Sequence, residues 1–257
     1  MDKILEVRNI SKRYRRGGQA VPAVNNVSFF LNRGEILGIM GPSGCGKSTL
    51  VNIITRLLDA DEGEILLDGN PVTRLSGRQL RDIYKKVQMV FQSPADSFNP
   101  RKTIGSSVAE SLINNGMDKK AALAEGGLLL SQCGLPIEYR NRFPHQLSGG
   151  ECQRAAIARA LAIRPKILIC DEATSSLDVT IQKQILTLLQ QLKVEYDMSY
   201  LVISHDPALI RYFCDRVIVM DGGCITEERY IEKKSWTHTA KGEVYGYKNY
   251  FGAGQVR

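Results

Sequence analysis

Apolar positions along the chain follow two rhythms. Short runs of Val, Ile, Leu and Phe bounded by turn residues predict strands at 3–10, 27–31, 36–40, 64–67, 86–91, 166–170, 200–203 and 216–220. Between them, composition and spacing predict helices at 50–58, 78–85, 151–163, 178–195 and 207–214, with Pro165 stopping the third. In 178–195, Ile181, Ile185, Leu188, Leu189 and Leu192 fall on one face of a 3.6-residue helix. Gly17-Gly18, Gly34, Asp61-Glu62-Gly63, Asp68-Gly69 and Asp221-Gly222-Gly223 mark turns. Residues 93–155 break this rhythm: β-branched clusters thin out, Gly and Pro interrupt, and short helical patches appear at 104–113 and 118–132. They read as a helical insertion into a core whose alternating strands and helices predict an α/β fold with a largely parallel, doubly wound sheet.

Composition changes this picture little. The 257 residues are 43% hydrophobic and 24% charged, enough to bury one large core or a core with a subdomain. No apolar run approaches the ~18 residues that span a bilayer, and Asp2 and Glu6 interrupt any secretory pattern at the start. Six scattered cysteines without a C-x-x-C pair argue for reduced thiols and a cytosolic setting. The net charge of +7 is moderate. Its densest cluster, Lys12-Arg13-Tyr14-Arg15-Arg16, lacks the extended basic face of a nucleic-acid reader, so no nucleic-acid partner is expected. A solvated basic turn, or one facing phosphates or an anionic membrane surface, fits that cluster.

The chemistry starts after the apolar run 36–40. Gly41-Pro42-Ser43-Gly44-Cys45-Gly46-Lys47-Ser48-Thr49 fits Gly, four residues, Gly-Lys-Ser, between an expected strand and an expected helix. Glycines let the backbone wrap an anion, successive N–H groups point inward, and the helix brings its positive end. Lys47 would reach the β- and γ-phosphates and Ser48 would ligate Mg²⁺. Cys45 is either a reactive thiol at the helix start or the filler of a variable loop position. A second strand, 167–170, ends in Asp171-Glu172, where α/β sheets place their ligands. Asp171 is suited to hold hydrated Mg²⁺, and Glu172 to polarise an attacking water.

Four further stretches narrow the family: Gln92 before the insertion, Leu147-Ser148-Gly149-Gly150-Glu151, Ser175-Ser176-Leu177-Asp178, and Ile203-Ser204-His205-Asp206. The Ser148 helix start would present a hydroxyl and two glycine amides to a phosphate. In this order the motifs resemble those of the nucleotide-binding subunits of ATP-binding-cassette transporters, over about residues 3–228. The resemblance implies a P-loop NTPase (RecA-like) core, an N-terminal antiparallel β subdomain and an inserted α-helical subdomain. It divides the chain into a cassette at 1–230, with core 1–92 and 156–230 and helical subdomain 93–155, and a tail at 231–257.

By the same resemblance the cofactors are ATP and Mg²⁺, and Tyr14 stacks on adenine. Two such domains meet head to tail, so that each ATP lies between Lys47 of one chain and Ser148, Gly149, Gly150 and Glu151 of the other, beside Asp178. Gln92 senses the γ-phosphate and joins Ser48 and Asp171 at Mg²⁺. His205 holds the γ-phosphate beside Glu172. Glu151 stands where the family usually has Gln, and its carboxylate is expected to weaken ATP closure slightly by repulsion.

The segment from Val90 to Arg101, together with Phe143-Pro144-His145-Gln146 and Thr174 to Val179, resembles the ATPases of oligopeptide, dipeptide and nickel importers. That implies two permease subunits, a second ATPase subunit and an extracytoplasmic solute-binding protein as partners. It also implies a place on the cytoplasmic face of the membrane, with the part near 93–110 docking a permease. The tail, rich in Tyr and Lys, lies outside the likeness. An exporter ATPase and a soluble cassette ATPase of DNA repair or translation remain alternatives. The latter usually carry a coiled-coil insertion, a zinc module or a second cassette.

Overall fold

The computed structural model describes residues 2–16, 19–173 and 177–232; the Gly17-Gly18 loop, Thr174, Ser175, Ser176 and the tail from 233 lie outside the described residues. Strands β1 (Lys3–Arg16) and β2 (Gln19–Asn32) form an antiparallel hairpin, followed by β3 (Ile36–Met40) and helix α1 (Lys47–Ile54). Next come β4 (Glu62–Leu67), β5 (Asn70–Pro71), α2 (Leu80–Lys86) and β6 (Val87–Val90). Helices α3 (Ile104–Asn114), α4 (Lys119–Gln132) and α5 (Gly149–Leu161) make the helical region. The chain then runs through β7 (Ile167–Asp171), α6 (Val179–Glu195), β8 (Ser199–Ile203), α7 (Pro207–Phe213), β9 (Arg216–Asp221) and β10 (Cys224–Tyr230).

Two sheets result. An antiparallel sheet has the order β2-β1-β4-β5, and a six-stranded sheet has the order β10-β9-β3-β8-β7-β6, in which only the β9–β10 pair is antiparallel. The central strands are apolar on both faces, as a covered parallel sheet requires. Leu37, Ile39, Ile167, Ile169, Leu201 and Ile203 pack with α1 and the antiparallel sheet. Their neighbours Ile36, Leu168, Cys170, Tyr200 and Val202 pack with the helical layer on the other face. Helix α6 buries Ile185, Leu186, Leu188, Leu189 and Leu192, and Asp178 caps it by accepting from Ile181 N at 3.0 Å.

Five elements depart from the pattern in the sequence. β1 and β2 extend well beyond 3–10 and 27–31, because ion pairs such as Lys12–Asp61 (2.7 Å) and Arg13–Glu62 (3.0 Å) hold charged residues in the hairpin. Asn9 and Asn26, both with positive φ (50° and 52°), lie where the β1–β2 register shifts, so strict alternation is lost. Helix α1 begins at Lys47 rather than 50. β10 is an exposed edge strand, Cys-Ile-Thr-Glu-Glu-Arg-Tyr, with no apolar alternation to announce it. Helix α5 runs unbroken across residue 155, where the expected border between insertion and core falls.

Candidate active site

Strand register gathers the candidate groups. Ile39 and Asp171 both pair with Ile203, one on each side of β8, and Val90 pairs with Cys170. The loops carrying Gly41, His205, Glu172 and Gln92 therefore leave the sheet at one level, at the C-terminal ends of the parallel strands. This is where an open α/β sheet binds its ligands.

The loop 41–46 ends in α1 without a side-chain cap and without an acidic residue in the first turn, so the helix's positive end is left for an anion. Gly46 is required by packing as well as by backbone: its φ is 105°, and a Cβ there would come within 2.1 Å of the Ala23 carbonyl oxygen. Lys47 is buried and its Nζ donates to the carbonyls of Gly41 (2.7 Å) and Pro42 (2.8 Å), which holds the ammonium inside the loop. Ser48 is exposed at the loop's mouth and Thr49 half-buried. The Cys45 side chain is buried under the loop, the position of a filler rather than of a reactive surface thiol. Gly223 N donates to Cys45 O at 3.1 Å, and Asn25 N donates to Gly223 O at 2.8 Å, so the β9–β10 turn braces the loop against β2. Tyr14 is 46% exposed and pairs with Val21 farther along the hairpin whose Ala23 abuts Gly46.

Across the sheet, Glu172 is the centre of a small network. Gln92 Nε2 donates to its Oε2 at 2.7 Å, and His205 Nδ1 lies 3.2 Å from its Oε1. The residue is held with φ +46° while its own N–H donates to Ile203 O at 3.0 Å. A non-glycine residue in this left-handed region stores on the order of 1 kcal/mol. The Asp171 carboxyl is pushed up by burial and by the neighbouring Glu172 charge, against the pull of Lys47. A cation beside Asp171 would relieve both effects. Ser48, Asp171 and the Gln92 amide oxygen form a set of hard oxygen donors that fits Mg²⁺, which takes one or two carboxylates and completes its shell with phosphate and water. No cluster of three or more His, Cys, Asp or Glu that could hold a metal ion occurs among the described residues.

The remaining predicted residues sit elsewhere. Ser148 caps α5, and Glu151 closes a capping box: Glu151 N donates to Ser148 Oγ at 3.4 Å and Ser148 N to Glu151 Oε2 at 2.7 Å. Glu151 Oε1 accepts from Tyr139 OH at 2.9 Å. These bonds, the Ser148 amide foremost, hold the carboxyl below its usual range. The Glu151 charge is thus engaged at the helix start, a role that Ser-x-x-Glu in the sequence already signals. Gly150 fits where a Cβ would meet Ile181 Cγ2 at 2.8 Å, which seats the α5 start on α6. Asp178 is committed to capping α6. The site thus falls into two parts, the P-loop with the Glu172 network, and the exposed α5 start. Sequence reading missed Tyr139 and the Arg142 guanidinium stacked over its ring at 3.6 Å, since nothing local marks them.

Residues 24–175 match the family described as ABC transporter. The chain is 41% identical over 231 residues to the oligopeptide transport ATP-binding protein OppF of Streptococcus mutans, covering 88% of this chain and 74% of that one. It is 41% identical over 232 residues to the nickel import ATP-binding protein NikE of Pseudomonas putida, covering 88% and 85%. Among solved structures it resembles a dimeric ATP-binding cassette in a post-hydrolysis state bound to ADP and Pi, with TM-score 0.82, 33% identity and coverage of 89% and 99%.

Proposed function

The chain belongs to the ABC transporter family, and from that premise we propose that it is the ATPase subunit of an importer for peptides, nickel or a metal chelate. It hydrolyses ATP, and its partners are permeases in a transport complex. The observation that carries the reading is the network at the sheet's C-terminal edge: Gln92 and His205 each in contact with Glu172, level with the phosphate loop.

In this reading the loop amides and Lys47 bind the β- and γ-phosphates, with Tyr14 on the adenine. Ser48, Asp171 and Gln92 hold Mg²⁺, which neutralises phosphate charge when bound. Glu172, fixed from two sides by Gln92 and His205, orients and polarises the attacking water; such a base contributes about 10²- to 10⁴-fold. The α5 start, Ser148 to Glu151, and Asp178 complete the site of a second chain, so that ATP joins two cassettes head to tail and hydrolysis separates them. The second cassette is another copy or a related ATPase, and the complex includes two permeases and an extracytoplasmic solute-binding protein. Support comes from the importer names of the relatives and from the exposed α5 start lying apart from the P-loop. No helix among the described residues is long and apolar enough to cross a membrane, consistent with peripheral attachment at the cytoplasmic face through the permeases, near 93–110.

The test is ATPase activity of the purified chain against its concentration, for wild type and Glu172→Gln. Hydrolysis that rises faster than linearly and falls at least about 10²-fold in the variant, with ATP still bound, is expected. A variant as active as wild type would overturn the role given to Glu172.

A further inference from the structure

Arg159 is a mostly buried cation with no place in the reaction. It lies on α5, about 15 Å along the helix from Gly149. Its Nη1 donates to Ser97 O at 2.6 Å and its Nη2 to Ser97 Oγ at 2.8 Å, and the guanidinium lies 4.4 Å over the Phe98 ring. Ser97 Oγ in turn donates to Pro94 O at 2.7 Å, and Pro94 and Phe98 are buried. All these contacts are neutral. Glu110, whose charge reaches Arg159, is ion-paired with Lys102 at 2.9 Å. Burying a guanidinium against neutral groups costs free energy that an apolar side chain on Phe98 would not incur. What the guanidinium adds is direction, because its rigid fork grips both oxygens of one residue.

The gripped residue occupies a particular place. Gln92 is tied to Glu172 on the catalytic edge. Phe91, Gln92 and Ser93 are exposed, and from Pro94 to Phe98 the chain is seated on the α5 side. Ser93 is therefore the joint between a part fixed to the catalytic glutamate and a part fixed to the helix that starts at Ser148. We propose that Arg159 is a positioning residue that makes 94–98 and α5 one rigid lever, so that displacement of the Ser148 end is carried to the permease-facing segment. This rests on the importer reading above.

The test uses the full chain with spin labels at exposed Asn99 and Glu138, in a Cys224→Ser background, and also the assembled transporter. In wild type the label distance is narrowly distributed and unchanged by ATP. Arg159→Met broadens it, leaves basal hydrolysis by the isolated chain within about twofold, and lowers ATP-driven uptake by the assembly about tenfold, the scale of a typical coupling between sites. Arg159→Lys, which keeps one bond, recovers part of both. Ser97→Ala removes one bond from the loop side without touching the helix, and gives an intermediate broadening even if the Arg159 variants fold poorly. A narrow distribution in Arg159→Met, or full uptake despite a broad one, overturns the proposal. An assembly whose wild-type chain drives no uptake would sink the importer reading, while the distance measurement would still decide whether the clamp exists.

Discussion

At the N-terminal edge of the six-stranded sheet, charged groups at the strand starts are satisfied by one another. Arg216, at the start of β9, is fully buried and donates to Glu35 (2.6 Å) and Glu228 (2.6 Å) while lying over Phe30. Gly34 N donates to Ser199 Oγ at the start of β8, and Lys86 and Lys166, before β6 and β7, both reach Asp68 along with Arg33. At the opposite edge the arrangement is reversed. The Asp171 carboxyl is pushed up by burial and by its neighbour, and α1 starts without a side-chain cap, while Glu172 is held in a left-handed backbone, as Asp68 is at the basal edge. The comparison teaches a division of labour. One edge joins the antiparallel sheet to the core and carries stability, while the other leaves a carboxyl that burial and a like charge push up, level with the phosphate loop.

The strongest way to break this comparison is to show that the basal edge does not carry stability. Arg216→Met leaves the buried Glu35 carboxylate, also bonded by Asn32 N at 2.8 Å, without its guanidinium. Breaking such a pair costs about 3–5 kcal/mol. A large fall in the guanidinium chloride midpoint is therefore expected, with part of it recovered by adding Glu35→Gln. If Arg216→Met instead unfolds like wild type but loses ATP binding, the division is wrong.

A smaller effect comes from Asp68. Lys166, Lys86 and Arg33, against the opposing effect of burial, lower its carboxyl to about 2 in the folded chain. A folded pKa below the unfolded one means the contribution is present above the unfolded value of about 4 and is lost as pH falls through about 2. Because its three partners are partly exposed, its worth is on the order of 1 kcal/mol. Urea midpoints of wild type and Asp68→Asn should differ by that amount near pH 6 and converge as the pH falls from 4 towards 2. Curves that stay parallel over this range would remove Asp68 from the basal network.

The two edges also differed in how far they could be read beforehand. Ile36–Met40, Ile167–Asp171 and Ser199–Ile203 emerge close to their predicted bounds, because a strand covered on both faces is a plain apolar run. The P-loop and the Asp171-Glu172 pair stand out in the sequence because phosphate and Mg²⁺ chemistry calls for those residue types at strand ends, and Gln92 and His205 stand out only by motif order; the structure brings both of the latter onto Glu172. Contacts between distant segments do not stand out: Arg216 with Glu35, Arg159 with Ser97 and Tyr139 with Glu151 carry no local periodicity. Ser148-Gly149-Gly150-Glu151 also spells a capping box, which bonds the Glu151 carboxylate on both oxygens and keeps it charged. Backbone strain at Glu172 left no trace in the sequence at all.

That strain offers the smallest and sharpest prediction. Glu172→Ala and Glu172→Gly both delete the carboxylate and its bonds to Gln92 and His205, so both should lose hydrolysis equally. They differ only in a Cβ. At an ordinary position the Ala variant is the more stable, since glycine gains more freedom when unfolded. At φ +46° the order should invert, with Gly the more stable by about 0.5–1 kcal/mol, because the left-handed region penalises a Cβ. Differential scanning calorimetry on the pair reads this as a higher midpoint for the glycine variant. If Ala proves the more stable, the backbone at Glu172 is not strained.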